Sequence, residues 1–316
     1  MIEMRWALPG DREAIIDFID YVFSKSARPH DFATLLPKLY GGSADTTRHH
    51  YIILEDGKIV AAILAYPVPM VINGVQMMTI GVGSVSVHPR ARGRGYMQAL
   101  LSAVDARAKE LGAAFSVLGG QRQRYGYYGY VFAGMQMGGS LTRDNVRHAM
   151  RDVDVSGYAL LPMTQAHVPA ALALHDAQPC RCERSEAEFL DILRSWDCEP
   201  WAVMQGDTLV GFASLSVSGG HCHAGELVVQ DAHIAAALKL LVTTHGPLQV
   251  TAAPWQTRLA KTLTAVCEGY RITGPHAYKF YDAQRVCCAL GAPEGSLSFD
   301  GFSLPLPLCV PAPDCV

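Results

Sequence analysis

The sequence lacks the segments and the charge excess that mark membrane proteins and nucleic-acid binders. No apolar run in its 316 residues reaches the roughly 18 to 20 residues of a transmembrane helix, and the first residues carry no basic stretch followed by an apolar core. The formal net charge is −3 and 17% of the residues are charged, a balance that disfavours general binding to nucleic acids or anionic membranes. We therefore predict a soluble, cytoplasmic protein with no signal peptide, no nucleic-acid partner and no membrane partner.

The chain also lacks the cysteine spacing of a zinc site or of a secreted disulfide framework. Nine cysteines are present, but their number is odd and no Cys-x-x-Cys pair occurs. Cys180 and Cys182 are separated by one residue, and Cys287 and Cys288 are adjacent. We predict no bound metal, and reduced thiols that pack as small apolar side chains.

A glycine and arginine motif stands out between a strand pattern and a helix pattern. Val85 and Val87 alternate with polar residues, as in a half-buried strand, and Pro89 ends the strand because it has no N–H to donate. Residues 90–95 read Arg-Ala-Arg-Gly-Arg-Gly, and a helical pattern begins near Tyr96. This order presents free N–H groups at a helix N-terminus, where phosphate binds, and the glycines let the backbone approach the anion.

Taken alone, the same motif also fits a solvated turn. It has no Gly-Lys-Ser/Thr of a nucleoside-triphosphate loop, and no acidic residue ends a following strand as in a dinucleotide site. The predicted phosphate site consists of Arg90, Arg92, Gly93, Arg94, Gly95, Tyr96 and Met97.

A second motif lies downstream, after a helical stretch and an apolar run, where residues 125–130 read Tyr-Gly-Tyr-Tyr-Gly-Tyr. Together with Arg-x-x-Gly-x-Gly after a valine-rich strand, this segment resembles the GNAT superfamily of N-acetyltransferases, and within it the Eis-like (enhanced intracellular survival) acetyltransferases. The resemblance implies that acetyl-CoA is the co-substrate, with its pyrophosphate on the loop amides. It also implies that the strand residues Val85, Ser86 and Val87 bind the pantetheine arm.

The resemblance further implies two catalytic residues. The first tyrosine of the motif, Tyr125, corresponds to the general acid, and the C-terminal carboxylate, here that of Val316, corresponds to the base. An alkyl amine with a pKa of about 10.4 is almost wholly protonated at pH 7, so a base is needed. Many members use a glutamate on the strand before the loop, but this strand offers no carboxylate. His88 is therefore the rival base.

The order of elements occurs twice along the chain. The hairpin pattern of residues 51–66 recurs at residues 201–217, and the strand pattern near residue 85 recurs at 226–229. A strand at 277–281 is predicted to close the second copy. In place of the phosphate loop the second copy has Gln-Asp-Ala-His at 230–233, without glycine or arginine, so we predict one cofactor per chain.

We predict a three-layer α/β fold with two tandem GNAT domains, whose mixed, mostly antiparallel sheets are flanked by helices. Residues 1–150 are the predicted acetyl-CoA-binding domain, 151–290 a degenerate second domain, and 291–316 an apolar, proline-rich tail packed on the body. The Eis-like resemblance also implies a sterol-carrier-like third domain, for which the chain has no room. That departure leaves the acceptor and the quaternary structure open, a homo-oligomer included.

The leading hypothesis for function is an N-acetyltransferase that moves an acetyl group from acetyl-CoA to a primary amine, by direct attack in a ternary complex. The alternative is a non-catalytic acyl-CoA-binding regulatory module, which the missing strand glutamate favours and Tyr125 disfavours. Nucleic-acid binding through Arg90, Arg92 and Arg94 is disfavoured by the net charge. A polyamine, an aminoglycoside, a peptide N-terminus and a lysine side chain all remain open as acceptors.

Overall fold

The computed structural model describes residues 1–25, 29–41, 45–120, 122–274, 276–292 and 308–316. These residues form two compact units. Unit 1 consists of the described residues within Met1–Ala133, His276–Leu304 and Cys315–Val316, and unit 2 of those within Gly134–Pro275 and Pro305–Asp314.

The secondary structure alternates strands and helices throughout. In chain order the strands are β1 (Ile2–Trp6), β2 (His50–Glu55), β3 (Lys58–Ile72), β4 (Val75–Val87), β5 (Phe115–Leu118), β6 (Val131–Ala133), β7 (Gln136–Leu141), β8 (Tyr158–Pro162), β9 (Cys180–Cys182), β10 (Glu199–Gln205), β11 (Thr208–Ser218), β12 (His221–Val229), β13 (Leu248–Ala252), β14 (Tyr270–Thr273) and β15 (His276–Phe280). The helices are α1 (Arg12–Ser24), α2 (Phe32–Leu35), α3 (Pro37–Tyr40), α4 (Tyr96–Glu110), α5 (Arg122–Tyr125), α6 (Arg143–Ala149), α7 (Val168–Asp176), α8 (Phe189–Leu193), α9 (Ile234–His245), α10 (Thr257–Val266) and α11 (Ala283–Leu290). None of these described helices is both long and apolar enough to cross a lipid bilayer.

The sheet of unit 1 has the strand order β1-β2-β3-β4-β5-β15-β6. Two tight turns set its register, because Asp56-Gly57 and Asn73-Gly74 have positive φ at both residues, the geometry that two-residue hairpins prefer. Alternate residues of each strand face opposite sides. On one side Ile52 packs with α1, α2 and α3, and on the other Ile53 packs with α4.

The sheet of unit 2 has the order β14-β7-β13-β12-β11-β10-β8. Its strands β12 and β13 pair in parallel, as β4 and β5 do in unit 1. Helices α6, α9 and α10 supply buried residues to one apolar cluster, and α7 and α8 supply them to another. The predicted fold class, an α/β fold with two mostly antiparallel sheets flanked by helices, is confirmed.

Two strands lie in a different unit from the one that their positions in the sequence predict. The predicted closing strand of the second copy, β15, pairs with β5 and β6 in unit 1, so that prediction is wrong. Conversely, β7 precedes residue 150 but pairs with β13 and β14 in unit 2. The units therefore differ from the predicted ranges 1–150 and 151–290, because hydrogen-bond partners, and not position along the chain, decide which sheet a strand joins.

The predicted tail, residues 291–316, is described only in part, since residues 293–307 lie outside the described residues. Leu308, Cys309 and Val310 are buried, and the backbone carbonyl of Leu308 accepts a hydrogen bond from the Met135 amide at 3.0 Å. This part of the tail is therefore buried within unit 2.

A buried ion cluster lies in unit 2. The Arg184 guanidinium donates to Glu226 at 2.9 Å and to Asp314 at 2.6 Å, and the exposed fractions of the three side chains are 0%, 7% and 5%. Removing one member of such a cluster leaves the others charged and without water, which is costly.

We therefore expect Arg184→Met to lower the free energy of unfolding by about 3 to 5 kcal/mol, because Glu226 and Asp314 lose their shared cation. Urea denaturation measures the change. Arg194→Met is the control, since Arg194 pairs with Asp191 on the surface and its loss should cost at most about 1 kcal/mol. Equal losses for the two variants would show that the buried cluster contributes no more than a surface pair.

Candidate active site

The segment around residue 90 has the predicted order of strand, loop and helix. Strand β4 ends at Val87, a short 3-10 turn covers Pro89–Ala91, and α4 begins at Tyr96. Gly93 and Gly95 have φ of 78° and 79°, a left-handed conformation that glycine adopts at little cost. Nothing lies within 4 Å of the place where a Cβ would stand at either residue, so a ligand can approach this backbone closely.

The N-terminus of α4 is suited to an anion. Its first N–H groups have no partner inside the helix, and the helix dipole is positive at this end. The residue before the helix, Gly95, offers no side-chain cap, and the first turn carries no acidic residue. A phosphate group of a ligand therefore fits here.

The three loop arginines have different surroundings. Arg94 donates to both Glu55 carboxylate oxygens, at 2.8 and 3.0 Å, and the Tyr96 hydroxyl donates to the same carboxylate. These contacts, that of Tyr96 first, lower the pKa of Glu55. Arg90 and Arg92 are exposed. Glu55 thus holds Arg94 at the start of α4. No sequence pattern indicates this contact, because β2 lies far from the loop in the chain.

The sheet of unit 1 opens next to this loop. Strands β4 and β5 pair in parallel over three residues, the last pair being Gly81 with Val117. Strand β5 ends at Leu118, whereas β4 continues to Val87. Beyond residue 81 no described strand pairs with this edge of β4, and we call the space beside the edge the gap. The predicted pantetheine-binding residues 85–87 lie along it.

Tyr125 is a buried residue of the apolar cluster that contains α4. Its ring meets that of Tyr130 edge to face, with centroids 6.1 Å apart. Burial raises the pKa of the Tyr125 hydroxyl, so the group carries its proton at neutral pH, as a general acid must. In the same motif Tyr128 is partly buried and Tyr127 is 90% exposed.

Val316 lies against β4 on the other side of the sheet. A Cβ on Gly83 would stand 2.6 Å from the Val316 carboxyl carbon, and a Cβ on Gly81 would stand 2.7 Å from a Val316 methyl group. Neither glycine has a positive φ, so both are needed for space and not for backbone conformation. Lys38 donates to the Cys315 carbonyl at 2.6 Å, which holds the chain end in place.

The two predicted catalytic residues thus lie in different apolar clusters of unit 1. Tyr125 shares its cluster with Ile80 and Val82 of β4, while Val316 packs on the cluster of α1, α2 and α3. Since Gly81 and Gly83 alternate with Ile80 and Val82, the two residues approach opposite faces of the same stretch of β4.

The rival base, His88, has local contacts. Its Nδ1 accepts a hydrogen bond from the Arg90 amide at 3.2 Å, and its ring stacks on Tyr21 with centroids 5.6 Å apart. His88 therefore caps the short turn after β4.

Three further polar side chains meet beside the gap. The Tyr40 hydroxyl lies 2.7 Å from Ser84 Oγ and 3.0 Å from His50 Nε2, and all three residues are buried. Tyr40 and His50 precede β4 by many residues and form no motif, so no sequence pattern indicates this group.

Unit 2 has no comparable loop at the matching position. A 3-10 turn over Asp231–His233 leads into α9, and Asp231 places a carboxylate in its first turn, which disfavours an anion. Among the residues that the structure describes, no group of three or more His, Cys, Asp or Glu side chains is arranged to hold a metal ion.

Comparison with known proteins supports the resemblance found in the sequence. Residues 3–133 match the family described as Acetyltransferase (GNAT) domain. No curated protein matches the sequence.

Solved structures share the fold over most of the chain. A GCN5-related N-acetyltransferase from Kribbella flavida superposes with a TM-score of 0.67 at 17% identity, covering 92% of this chain and 74% of that one. A probable N-acyltransferase from Enterococcus faecalis V583 gives 0.69 at 14% identity, covering 90% and 74%. Eis1 from Mycobacterium abscessus gives 0.64 at 14% identity, covering 92% and 76%. Residues 3–133 therefore match an acetyltransferase (GNAT) domain, and most of the chain shares the fold of these N-acetyltransferase structures.

Proposed function

We propose that the protein transfers an acetyl group from acetyl-CoA to a primary amine, by direct attack while both substrates are bound. The observation that carries this proposal is the open, left-handed backbone at Gly93 and Gly95, at the N-terminus of α4 and within a GNAT domain. One acetyl-CoA binds per chain, since unit 2 has Asp231 where unit 1 has this loop.

The donor is held by backbone groups. The N–H groups of the loop and of the first turn of α4, residues 92–97, bind the pyrophosphate, and Arg90 and Arg92 add positive charge. The free edge of β4 at residues 85–87 pairs with the amides of the pantetheine arm, as one more strand would. Acetyl-CoA supplies the thioester whose acetyl group is transferred.

The chain's own groups move two protons. The Val316 carboxylate accepts a proton from the acceptor ammonium, because the neutral amine of pKa about 10.4 costs roughly 4 to 5 kcal/mol to form at pH 7. As the amine nitrogen bonds to the acetyl carbon, the carbon–sulfur bond breaks, and the nitrogen and the Val316 carboxyl group each release a proton to solvent. Tyr125 donates its hydroxyl proton to the leaving sulfur and regains a proton from solvent.

Release of coenzyme A in the presence of a panel of amines tests the proposal. The panel contains a polyamine, an aminoglycoside, a peptide with a free N-terminus and lysine. Binding of acetyl-CoA without release for any amine would instead support a non-catalytic acyl-CoA-binding module, which the missing carboxylate on residues 84–88 favours.

We expect Gly93→Val to weaken acetyl-CoA binding by at least about 10-fold, because a β-branched residue resists the left-handed conformation. Calorimetric titration measures the affinity. Gly74→Val is the matched control, since Gly74 has a similar φ of 82° and equally open surroundings in a hairpin turn. A Gly93→Val protein with wild-type affinity would remove the loop from the donor site.

Tyr125→Phe should lower kcat by about 10²- to 10⁴-fold, the usual contribution of one proton-transfer group. The affinity for acetyl-CoA should change little, because the loop is untouched. Tyr127→Phe alters the 90% exposed tyrosine of the same motif and should leave kcat unchanged. Equal kcat values for the two variants would exclude Tyr125 as the acid.

Ending the chain at Cys315 should lower kcat by a similar factor, because the terminal carboxylate moves by one residue away from Gly83. Val316→Ala keeps the carboxylate in place and is the control. Asp314 must stay, since its loss would break the ion pair with Arg184. Full kcat in the shortened chain would return the role of base to His88 or to water.

A further inference from the structure

Strand β4 contains a bulge at the gap. Ala62 pairs with Ser86 and Leu64 pairs with Gly83, so two residues of β4, Ser84 and Val85, lie opposite the single residue Ile63. A bulge of this kind shifts the alternation of the strand by one residue. It therefore decides which backbone groups of residues 85–87 face the gap and which face β3.

The bulge has an unfavourable residue at its centre. Ser84 has φ of 52°, in the left-handed region that a non-glycine residue enters at a cost, and glycine is the usual residue at this place in a bulge. Strain of this sort persists only where surrounding contacts impose it, and it is concentrated at functional sites. The Ser84 side chain makes such a contact, with the Tyr40 hydroxyl.

Hydrogen-bonding rules fix the direction of each bond in this group. His50 Nδ1 lies 3.1 Å from the Thr46 carbonyl, which can only accept, so Nδ1 carries the proton and Nε2 does not. The Tyr40 hydroxyl must then donate to Nε2, at 3.0 Å. Its oxygen in turn accepts from the Ser84 hydroxyl, at 2.7 Å. Each proton of the Ser84–Tyr40–His50 chain has one assigned acceptor.

Burial keeps this pattern in a single protonation state. It lowers the pKa of His50 to about 4 and raises the pKa of Tyr40, so both side chains are neutral near pH 7. His50 is too weak a base to hold a proton taken from an amine. The chain of bonds therefore serves to hold Ser84 in place and is not a route for protons.

We propose that Tyr40, His50 and Ser84 are positioning residues for the acyl-CoA donor, which hold the left-handed bulge of β4 and so present the backbone of residues 85–87 to the gap. The inference rests on the proposed function, because it assigns this edge to the donor. Tyr40 acts through Ser84, and His50 acts through Tyr40.

Calorimetric titration with acetyl-CoA tests the inference without any need for turnover. Tyr40→Phe and Ser84→Ala should each weaken acetyl-CoA binding by about 10-fold. Each variant loses the hydrogen bond between residues 40 and 84 but keeps a side chain at residue 84, which then disfavours the left-handed conformation. The double variant Tyr40→Phe/Ser84→Ala should bind no more weakly than either single variant, because both changes remove the same bond. Thr79→Val is the control, since it removes another buried hydroxyl of β4, one that donates to the Val68 carbonyl at 2.7 Å.

The variant Ser84→Gly distinguishes a positioning role of Ser84 from direct contact between Ser84 and the donor. Ser84→Gly removes the hydroxyl but adopts the left-handed conformation freely, so it should bind acetyl-CoA almost as well as the wild-type chain. It should also restore the affinity that Tyr40→Phe loses. If Tyr40→Phe weakened binding only by destabilising the fold, its midpoint of thermal unfolding would be lower and Ser84→Gly would not restore its affinity for acetyl-CoA.

The outcomes distinguish the positioning role of Tyr40, His50 and Ser84 from the proposed acetyl transfer. Wild-type affinity in Tyr40→Phe would overturn the inference, and so would Ser84→Gly binding as weakly as Ser84→Ala, which would indicate that the hydroxyl contacts the donor itself. If acetyl-CoA binds with the expected pattern but no amine is acetylated, the positioning role stands and the proposed transfer fails. If acetyl-CoA does not bind the wild-type chain, both are overturned.

Discussion

The divergence of β4 from β5 is the constraint on which the site of unit 1 depends. A strand edge left without a partner keeps N–H and C=O groups that must be paired by something else, and among the residues that the structure describes no strand pairs with this edge of β4 after Gly81. The loop that contains Gly93 and Gly95 follows the same strand, Tyr125 packs near this strand on one face, and Val316 lies on the other. A sheet that stayed paired to its end would leave no place for the proposed acyl-CoA donor between the strands.

The sequence predicted the parts of this site that depend on neighbours in the chain. The alternation of Val85 and Val87, the stop at Pro89 and the glycines at 93 and 95 act over a few residues, and each has the structure that its chemistry favours. The hairpin turns at Asp56-Gly57 and Asn73-Gly74 were predictable for the same reason, since these residue pairs accept positive φ. The resemblance of residues 125–130 to a known motif was the basis for predicting Tyr125 as the general acid.

Contacts between residues that are far apart in the chain could not be predicted from the sequence. Arg94 looks like a free cation in the sequence, but it pairs with Glu55, 39 residues away. Ser84 looks like an ordinary polar strand residue, yet its hydroxyl bonds to Tyr40, 44 residues away. Strand β15 was assigned to the wrong sheet because its apolar pattern fits either one, and only pairing with β5 and β6 decides between them.

The position of β15 has a consequence for how the protein is made. Strands β10 to β14 of unit 2 are all synthesised before β15. The sheet of unit 1 therefore stays incomplete until these strands and β15 have left the ribosome. Until then β5 lacks one of its two neighbouring strands, and open strand edges favour aggregation of incompletely folded chains. The boundary of the matched family domain, at residue 133, therefore does not delimit an independently expressible fragment, since a chain cut there would lose an internal strand of its own sheet.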